Sequence, residues 1–274
     1  MEIFRKMSFA DSTGDAIPFY HEGKYHIFSL TSPPGTTVYP ERLRTTWSHS
    51  ISDDLVHWQE LPTALYPGEG DEPDASGVWT GSVIYGEGQY HAFYTGYCLT
   101  AEFQQTICHA TSDDGITWTK DIANPVITPM TELYDWRDPY VFYNEEDENY
   151  WILISARRLD MPVTRRGCIV LYRSKNLKDW TYYGPIYSPG HTNCPECPEM
   201  YKMGGHWYLS YSRFSEFVNT IYRVSESSFG PWRKPKKDGI GGRRFYAAKS
   251  MQNDDGRRFY FGWAHDRAEQ SDKG

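Results

Sequence analysis

The sequence predicts an all-β fold, a five-bladed β-propeller built of four-stranded antiparallel blades. Three observations predict it. A polar turn phrase ending in Trp recurs at intervals of 52–62 residues. A second phrase, a turn followed by an aromatic strand, occurs five times in phase with the first. Helical periodicity is hard to find, because 17 Pro and 23 Gly punctuate the 274 residues.

The polar phrase reads S-x-(D/N)-x-x-x-W. It appears as "SDDLVHW" ending at Trp58, "SDDGITW" at Trp118 and "SKNLKDW" at Trp180, with a degenerate copy, "SESSFGPW", at Trp232. The aromatic phrase appears as "EGKYHIFSL" (22–30), "EGQYHAFYTG" (87–96), "DENYWILISA" (147–156), "GGHWYLSYS" (204–212) and "DGRRFYFGW" (255–263). Before each lies a further strand: "GDAIPFYH", "WTGSVIYG", "RDPYVFYN", "ECPEMYKM" and "FYAAKSMQ". The order strand, turn, aromatic strand, strand, Trp turn fits one propeller blade, and repetition at this period is the mark of such architectures. A β-sandwich with regularly spaced strands is the alternative, and five in-phase copies argue against it. The fifth unit ends in the polar "AEQSDKG". The expectation is therefore a single propeller domain over 1–274 whose last blade is incomplete, unless the N-terminal strand completes it.

Bulk properties narrow the function classes. Aromatic residues make up 16% of the chain, with 22 Tyr and 10 Trp, and mean hydropathy is −0.67. This mix suits short strands and an aromatic binding surface. A net charge of −8 argues against a nucleic-acid partner, which calls for a clustered basic face; "RKPKK" (233–237) reads as a solvated loop. No stretch approaches the roughly 18 apolar residues of a membrane span, so no membrane partner is expected. The start "MEIFRKMSFADS" shows no secretory signal, and the expected location is cytoplasmic. "CPEC" (194–197) has redox or zinc spacing, but it lacks the second ligand pair that a structural zinc needs. The five Cys are expected as free thiols, with no metal or cofactor.

The first strand of each blade lines a propeller's channel, so the starts of those strands meet at one mouth. They offer Asp15, Trp79, Asp138, Glu196 and Tyr246, of which three are carboxylates. Each acid alone could cap a turn or pair with a nearby cation. Three at one mouth suit glycosidic-bond cleavage, where two carboxyl groups flank the bond, one protonated as acid and one ionised. Crowding raises carboxyl pKa values, which favours the acid role. Trp47, Trp79, Trp136 and Tyr246 offer flat faces for sugar rings, although each Trp could equally be core. Arg137 offers a planar fork of donors to hydroxyls. The expected partner is therefore a carbohydrate.

The segments "WSHSISDDLVHW" (47–58), "WTGSV" (79–83), "WRDPYVFY" (136–143), "ECPEMY" (196–201) and "FYAAKSM" (245–251) resemble glycoside hydrolase family 32, the β-fructosidases. "WRDP" and "ECP" together carry most of that resemblance, which runs through nearly the whole chain. It implies a five-bladed propeller and a retaining mechanism acting on a terminal fructosyl unit of sucrose or a fructan. By carry-over Asp15 is the nucleophile, Asp138 steadies the sugar with Arg137 beside it, and Glu196 is the general acid/base. Ser82 and Lys249, within the matching segments, join Arg137, Trp47, Trp79, Trp136 and Tyr246 as substrate-binding residues. The family's first motif is usually W-x-N-D-P-N-G, whereas this chain reads "STGDAIPFY" and offers Asp11 as a second nucleophile candidate. The family's C-terminal β-sandwich is expected to be absent. Glu199 competes with Glu196 for the acid role, and resemblance favours Glu196. The other readings are an inverting family 43 type arabinoside or xyloside hydrolase, a sugar-binding propeller without turnover, and a fructosyltransferase.

Overall fold

The recurring polar phrase folds into a recurring turn. In the first copy the Ser52 hydroxyl accepts the backbone N–H of Asp54 and of Leu55, while Asp54 Oδ1 accepts those of Val56 and His57, all at 2.8–3.2 Å. Ser112 and Asp114 make the same four bonds in the second copy, and Ser174 with Asn176 makes three of them in the third. Short polar side chains thereby satisfy backbone donors that the ladder leaves unpaired. Each turn passes through one left-handed residue, Leu55, Gly115 and Leu177 respectively. The aromatic phrase begins on tight hairpins: Glu22–Gly23, Glu87–Gly88 and Gly204–Gly205 hold two successive positive φ values, as two-residue I′ turns require.

The protein is described by a computed structural model over residues 12–36, 39–130, 132–214, 218–242 and 245–264. Blade one comprises β1 (Thr13–His21), β2 (Lys24–Thr31), β3 (Thr46–Ser52) and β4 (Trp58–Leu65). Blade two comprises β5 (Gly77–Gly86), β6 (Gln89–Tyr97), β7 (Gln105–Ser112) and β8 (Thr119–Lys120). Blade three comprises β9 (Leu133–Asn144), β10 (Asn149–Arg158), β11 (Gly167–Ser174) and β12 (Thr181–Tyr187). Blade four comprises β13 (Glu196–Met203), β14 (His206–Arg213), β15 (Asn219–Ser225) and β16 (Gly239–Ile240). The last sheet pairs β17 (Phe245–Gln252) with β18 (Arg258–Ala264).

Every sheet is antiparallel in sequence order. The chain is thus an all-β propeller with four-stranded blades, four of them among the described residues, followed by a two-stranded sheet. Five four-stranded blades were expected; the fifth sheet shows two strands there, and "AEQSDKG" lies outside the described residues.

The inner strands β1, β5, β9, β13 and β17 contact one another in a closed cycle. Tyr20 donates to Asp254 at 2.7 Å and Asn253 to the Tyr25 hydroxyl at 3.0 Å, fastening the last sheet to blade one. The core is divided into clusters between blades. Ile17, Phe28 and Trp47 meet Val78 and Ala92; Phe93 and Ile107 meet Trp136 and Ile152; Trp151 and Leu153 meet Met200 and Leu209. No helix among the described residues is long and apolar enough to cross a membrane.

Each inner strand carries the same irregularity near its start. Val78 pairs with Gly96 and Gly81 with Tyr94, so Trp79 and Thr80 together oppose Thr95 alone. The same two-against-one bulge holds Gly14–Asp15, Asp138–Pro139, Cys197–Pro198 and Ala247–Ala248. A bulge bends its strand and re-aims side chains.

Gly81 closes the bulge of β5 in a space with no room for a side chain: a Cβ there would lie 2.0 Å from the Phe93 carbonyl oxygen and 2.7 Å from Tyr94 Cα. Gly81→Ala is therefore expected to prise β5 from β6 and cost about 1–3 kcal/mol or more, as overpacking does. The check is the midpoint of denaturant unfolding, and an unchanged midpoint would mean that the bulge relaxes freely.

Candidate active site

The five bulges bring the predicted acids together, each from a different place in the repeat. By register, Arg137, Glu196 and Tyr246 precede the bulge, Trp79 and Asp138 occupy its first position, and Asp15 its second. The strand starts expected to be equivalent are thus three successive positions, and the staggering lets three carboxyl groups share one space without superimposing. Asp138 and its counterparts Cys197 and Ala247 have φ of 58°, 49° and 50°. Left-handed backbone is costly for such residues and clusters at functional sites.

Asp15 Oδ2 accepts a hydrogen bond from the Thr80 hydroxyl, and the Cys197 thiol donates to it at 3.4 Å. The same sulfur lies 3.8 Å from Asp138 Oδ2, and the Cys197 backbone N–H donates to that oxygen at 2.9 Å. Arg137 links the remaining acid to this pair. Its Nη2 donates to Glu196 Oε1 at 2.8 Å, and its Nε lies 3.9 Å from Asp138 Oδ2. The Tyr246 hydroxyl donates to Glu196 Oε2. Gln105 and Cys194 accept from the other faces of the guanidinium at 3.3 and 3.1 Å, while Asp135 pairs with both Arg137 and Arg157.

Burial pushes the Asp15 carboxyl above the ordinary Asp value, opposed by Lys249, Thr80 and Cys197 and reinforced by Glu196. Burial also raises Asp138, to about 6; Arg137 resists, and Glu196 and Asp15 add to the rise. With Asp135 set against Arg157, three carboxylates face two cations, Arg137 and Lys249, so the cluster balances when it holds one proton. A nucleophile and an acid need that state at once, and the proton belongs to the coupled group rather than to one residue.

The other expected residues divide. Trp79 is half-buried, its ring stacked on Tyr97 at 4.0 Å and its N–H donated to the Leu43 carbonyl at 3.0 Å, which fixes its plane beside the acids. Trp47 and Trp136 were expected to stack on sugar, but both are fully buried in the inter-blade clusters. Neither offers an open face, so both are core. Ser82 is also reassigned: its hydroxyl donates to the Pro139 carbonyl at 2.9 Å and accepts the Val141 N–H at 2.8 Å, stapling β5 to β9. Lys249 is 2% exposed and lies inside the channel rather than at a sugar-facing surface.

Glu199 faces away from the acids. It accepts from Ser250 N–H and Oγ at 2.9 and 2.6 Å and from Ser210 at 3.3 Å, with Arg258 3.7 Å away. Asp11 lies outside the described residues. All five Cys are free, and among the described residues no His, Cys, Asp or Glu group is arranged to hold a metal. "CPEC" instead sends Cys194 to Arg137 and Cys197 to the two aspartates. Thr80, Thr95 and Cys197 were missed as site residues; Thr95 accepts the Asp138 N–H at 2.8 Å. Only Cys197 had a visible signal, its place between Glu196 and Pro198.

Comparison with known proteins follows this geometry. The description "Glycosyl hydrolases family 32 N-terminal domain" matches residues 15–273. A sucrose-6-phosphate hydrolase of Zymomonas mobilis is 28% identical over 268 residues, covering 89% of this chain and 51% of that protein. A raffinose invertase of Escherichia coli is 30% identical over 266 residues, covering 89% and 52%. Among solved structures, a family 32 beta-fructofuranosidase of Bombyx mori superposes with a TM-score of 0.75 at 25% identity, covering 92% of this chain and 55% of that one. The chain spans about half the length of the curated relatives it matches.

The raised Asp138 carboxyl has a consequence for stability. Its folded pKa, about 6, lies above the ordinary 3.8, so the folded state holds the proton more tightly. Its contribution is fully present below about pH 3.8 and is lost as pH rises through 6. Asp138→Asn is expected to stabilise the chain relative to the parent at pH 7 and to lose that advantage as pH falls below 4. Denaturant unfolding of both proteins at the two pH values measures this, and a variant less stable at pH 7 would contradict it.

Proposed function

This chain belongs to glycosyl hydrolase family 32, and from that premise we propose that it is a retaining β-fructofuranosidase-like hydrolase. It would release a terminal β-fructofuranosyl unit from sucrose or a fructan-type oligosaccharide. The observation that carries the reading is the junction of three carboxyl groups at one channel mouth: Cys197 touches both Asp15 and Asp138, and Arg137 reaches from Asp138 to Glu196.

Asp15, at the second position of its bulge, attacks the anomeric carbon. The Thr80 hydroxyl and the Cys197 thiol aim its Oδ2. Glu196 gives a proton to the departing glycosidic oxygen, so that the bond breaks without expelling an alkoxide. The glycosyl–Asp15 ester is then opened by water, which loses its proton to Glu196. Arg137 and Tyr246 hold the two Glu196 oxygens throughout. Asp138, kept in place by Thr95 and the Cys197 N–H, accepts hydrogen bonds from ring hydroxyls, and the Trp79 face packs on the sugar. The names of the relatives, a sucrose-6-phosphate hydrolase and a raffinose invertase, support a fructosyl substrate. We also read β17 and β18 as the inner half of a fifth blade, because the five inner strands close a cycle, and residues 1–274 as one catalytic propeller.

Product analysis on sucrose, inulin, levan and arabinan tests the substrate class, with fructose release expected from one or more of the first three. Asp15→Asn is expected to lower kcat by at least about 10³-fold, the scale of losing a nucleophile. Glu196→Gln is expected to lose about 10²–10⁴-fold on sucrose and less on an aryl fructoside, whose leaving group needs little protonation. An Asp15→Asn variant as active as the parent would remove Asp15 from the role.

A further inference from the structure

Lys249 is a charged group in the channel that the mechanism leaves without a task. It starts on β17 and ends on β5: its Nζ donates to the Gly81 carbonyl at 2.7 Å. In the ring of inner strands β1 lies between those two, so the side chain links the neighbours on either side of the strand that carries Asp15. Gly81 follows Thr80, whose hydroxyl binds Asp15. A cavity of about 180 Å³ opens at this level, lined by Ile17, Gly81, Ser82, Tyr140, Lys249 and Arg258. A lysine wholly buried beside one backbone carbonyl would forfeit its hydration for little; nearby anions give it a reason to be there.

We propose that Lys249 is a positioning residue for the nucleophile: anchored on the Gly81 carbonyl, its ammonium supplies the charge against which Asp15 stays ionised. The proposal deepens the reading of Asp15 given above and rests on it. The groups around Asp15 leave that task to Lys249. Thr80 on β5 and Cys197 on β13 are neutral donors, Glu196 on β13 and Asp138 on β9 are like charges, and Arg137 is engaged with Glu196 and Asp138. Glu199, the other acid near Lys249, has Arg258 and two Ser250 donors of its own. The Lys249 charge also opposes the rise that burial imposes on the Asp15 carboxyl.

The test separates charge from mere bracing. Lys249→Gln keeps a donor for Gly81 but removes the charge; Lys249→Arg keeps the charge. Carbon-13 carboxyl NMR of the full chain, with the Asp15 signal assigned by its loss in Asp15→Asn, gives the titration midpoint. In Lys249→Gln that midpoint is expected to rise by about 1 unit or more, and in Lys249→Arg to return toward the parent value. The acid limb of kcat/KM on sucrose should move the same way, a readout that lost bracing alone would not shift. An unmoved Asp15 midpoint in Lys249→Gln overturns the proposal. Should neither Lys249 variant fold, Asp15→Asn in the otherwise native chain must displace the Lys249 ¹⁵Nζ resonance, and a resonance that stays put also overturns it. If the parent cleaves no fructoside, the proposed hydrolase reading fails, while the NMR titration still decides what Lys249 does to Asp15.

Discussion

At the channel mouth, two residues of each inner strand stand against one residue of its partner, and the site follows from that mismatch. A regular strand alternates its side chains between faces with a period of two. A bulge near the start of every inner strand breaks this alternation, so neighbouring residues can address the same space. Asp15 from the second bulge position, Asp138 from the first and Glu196 from the residue before reach one cluster at different heights. Without the bulge, acids at successive positions would alternate between faces and could not all reach one cluster.

The bulges cost stability, and the core between the blades offsets that cost. Asp138, Cys197 and Ala247 take left-handed backbone, worth of order 1–3 kcal/mol each for residues other than Gly. Trp47, Trp136 and Trp151, each wholly buried, pack in the clusters that hold neighbouring inner strands at fixed angles. This explains why two of the tryptophans near the acids in sequence are absent from the mouth: they set the blade spacing on which the carboxyl distances depend.

What the sequence made legible divides along the same line. The Ser–Asp turns and the Glu–Gly hairpins could be read directly, because their chemistry is local: a side-chain oxygen two residues from a backbone N–H, or a residue tolerant of positive φ. From five such units the propeller followed. The fifth blade did not follow as far, since β17 and β18 are the strands of that sheet among the described residues. The acids were legible as a set, through "WRDP" and "ECP", but their staggering was not, because no residue type announces a bulge; its members here are Gly, Trp, Asp, Cys and Ala in the first position. Ser82 and Lys249 were picked out by the segments they sit in, yet their tasks are set by partners more than fifty residues away, Pro139 and Val141 for one and Gly81 for the other. No window of sequence contains those pairs.

Charge balance ties these parts together. A buried cluster of three carboxyl groups and two cations is tolerable only with about one proton, since an uncompensated buried charge costs several kcal/mol. The two cations are not interchangeable. Arg137 has a planar fork and can serve Glu196 and Asp138 from one centre, which fixes their geometry. Lys249 is a single point charge on a long stem, anchored on the Gly81 carbonyl across the neighbours of the strand that carries Asp15. An ammonium in the place of Arg137 would hold one carboxylate at the expense of the other. The division of labour between the two cations therefore follows from how many acceptors each one serves.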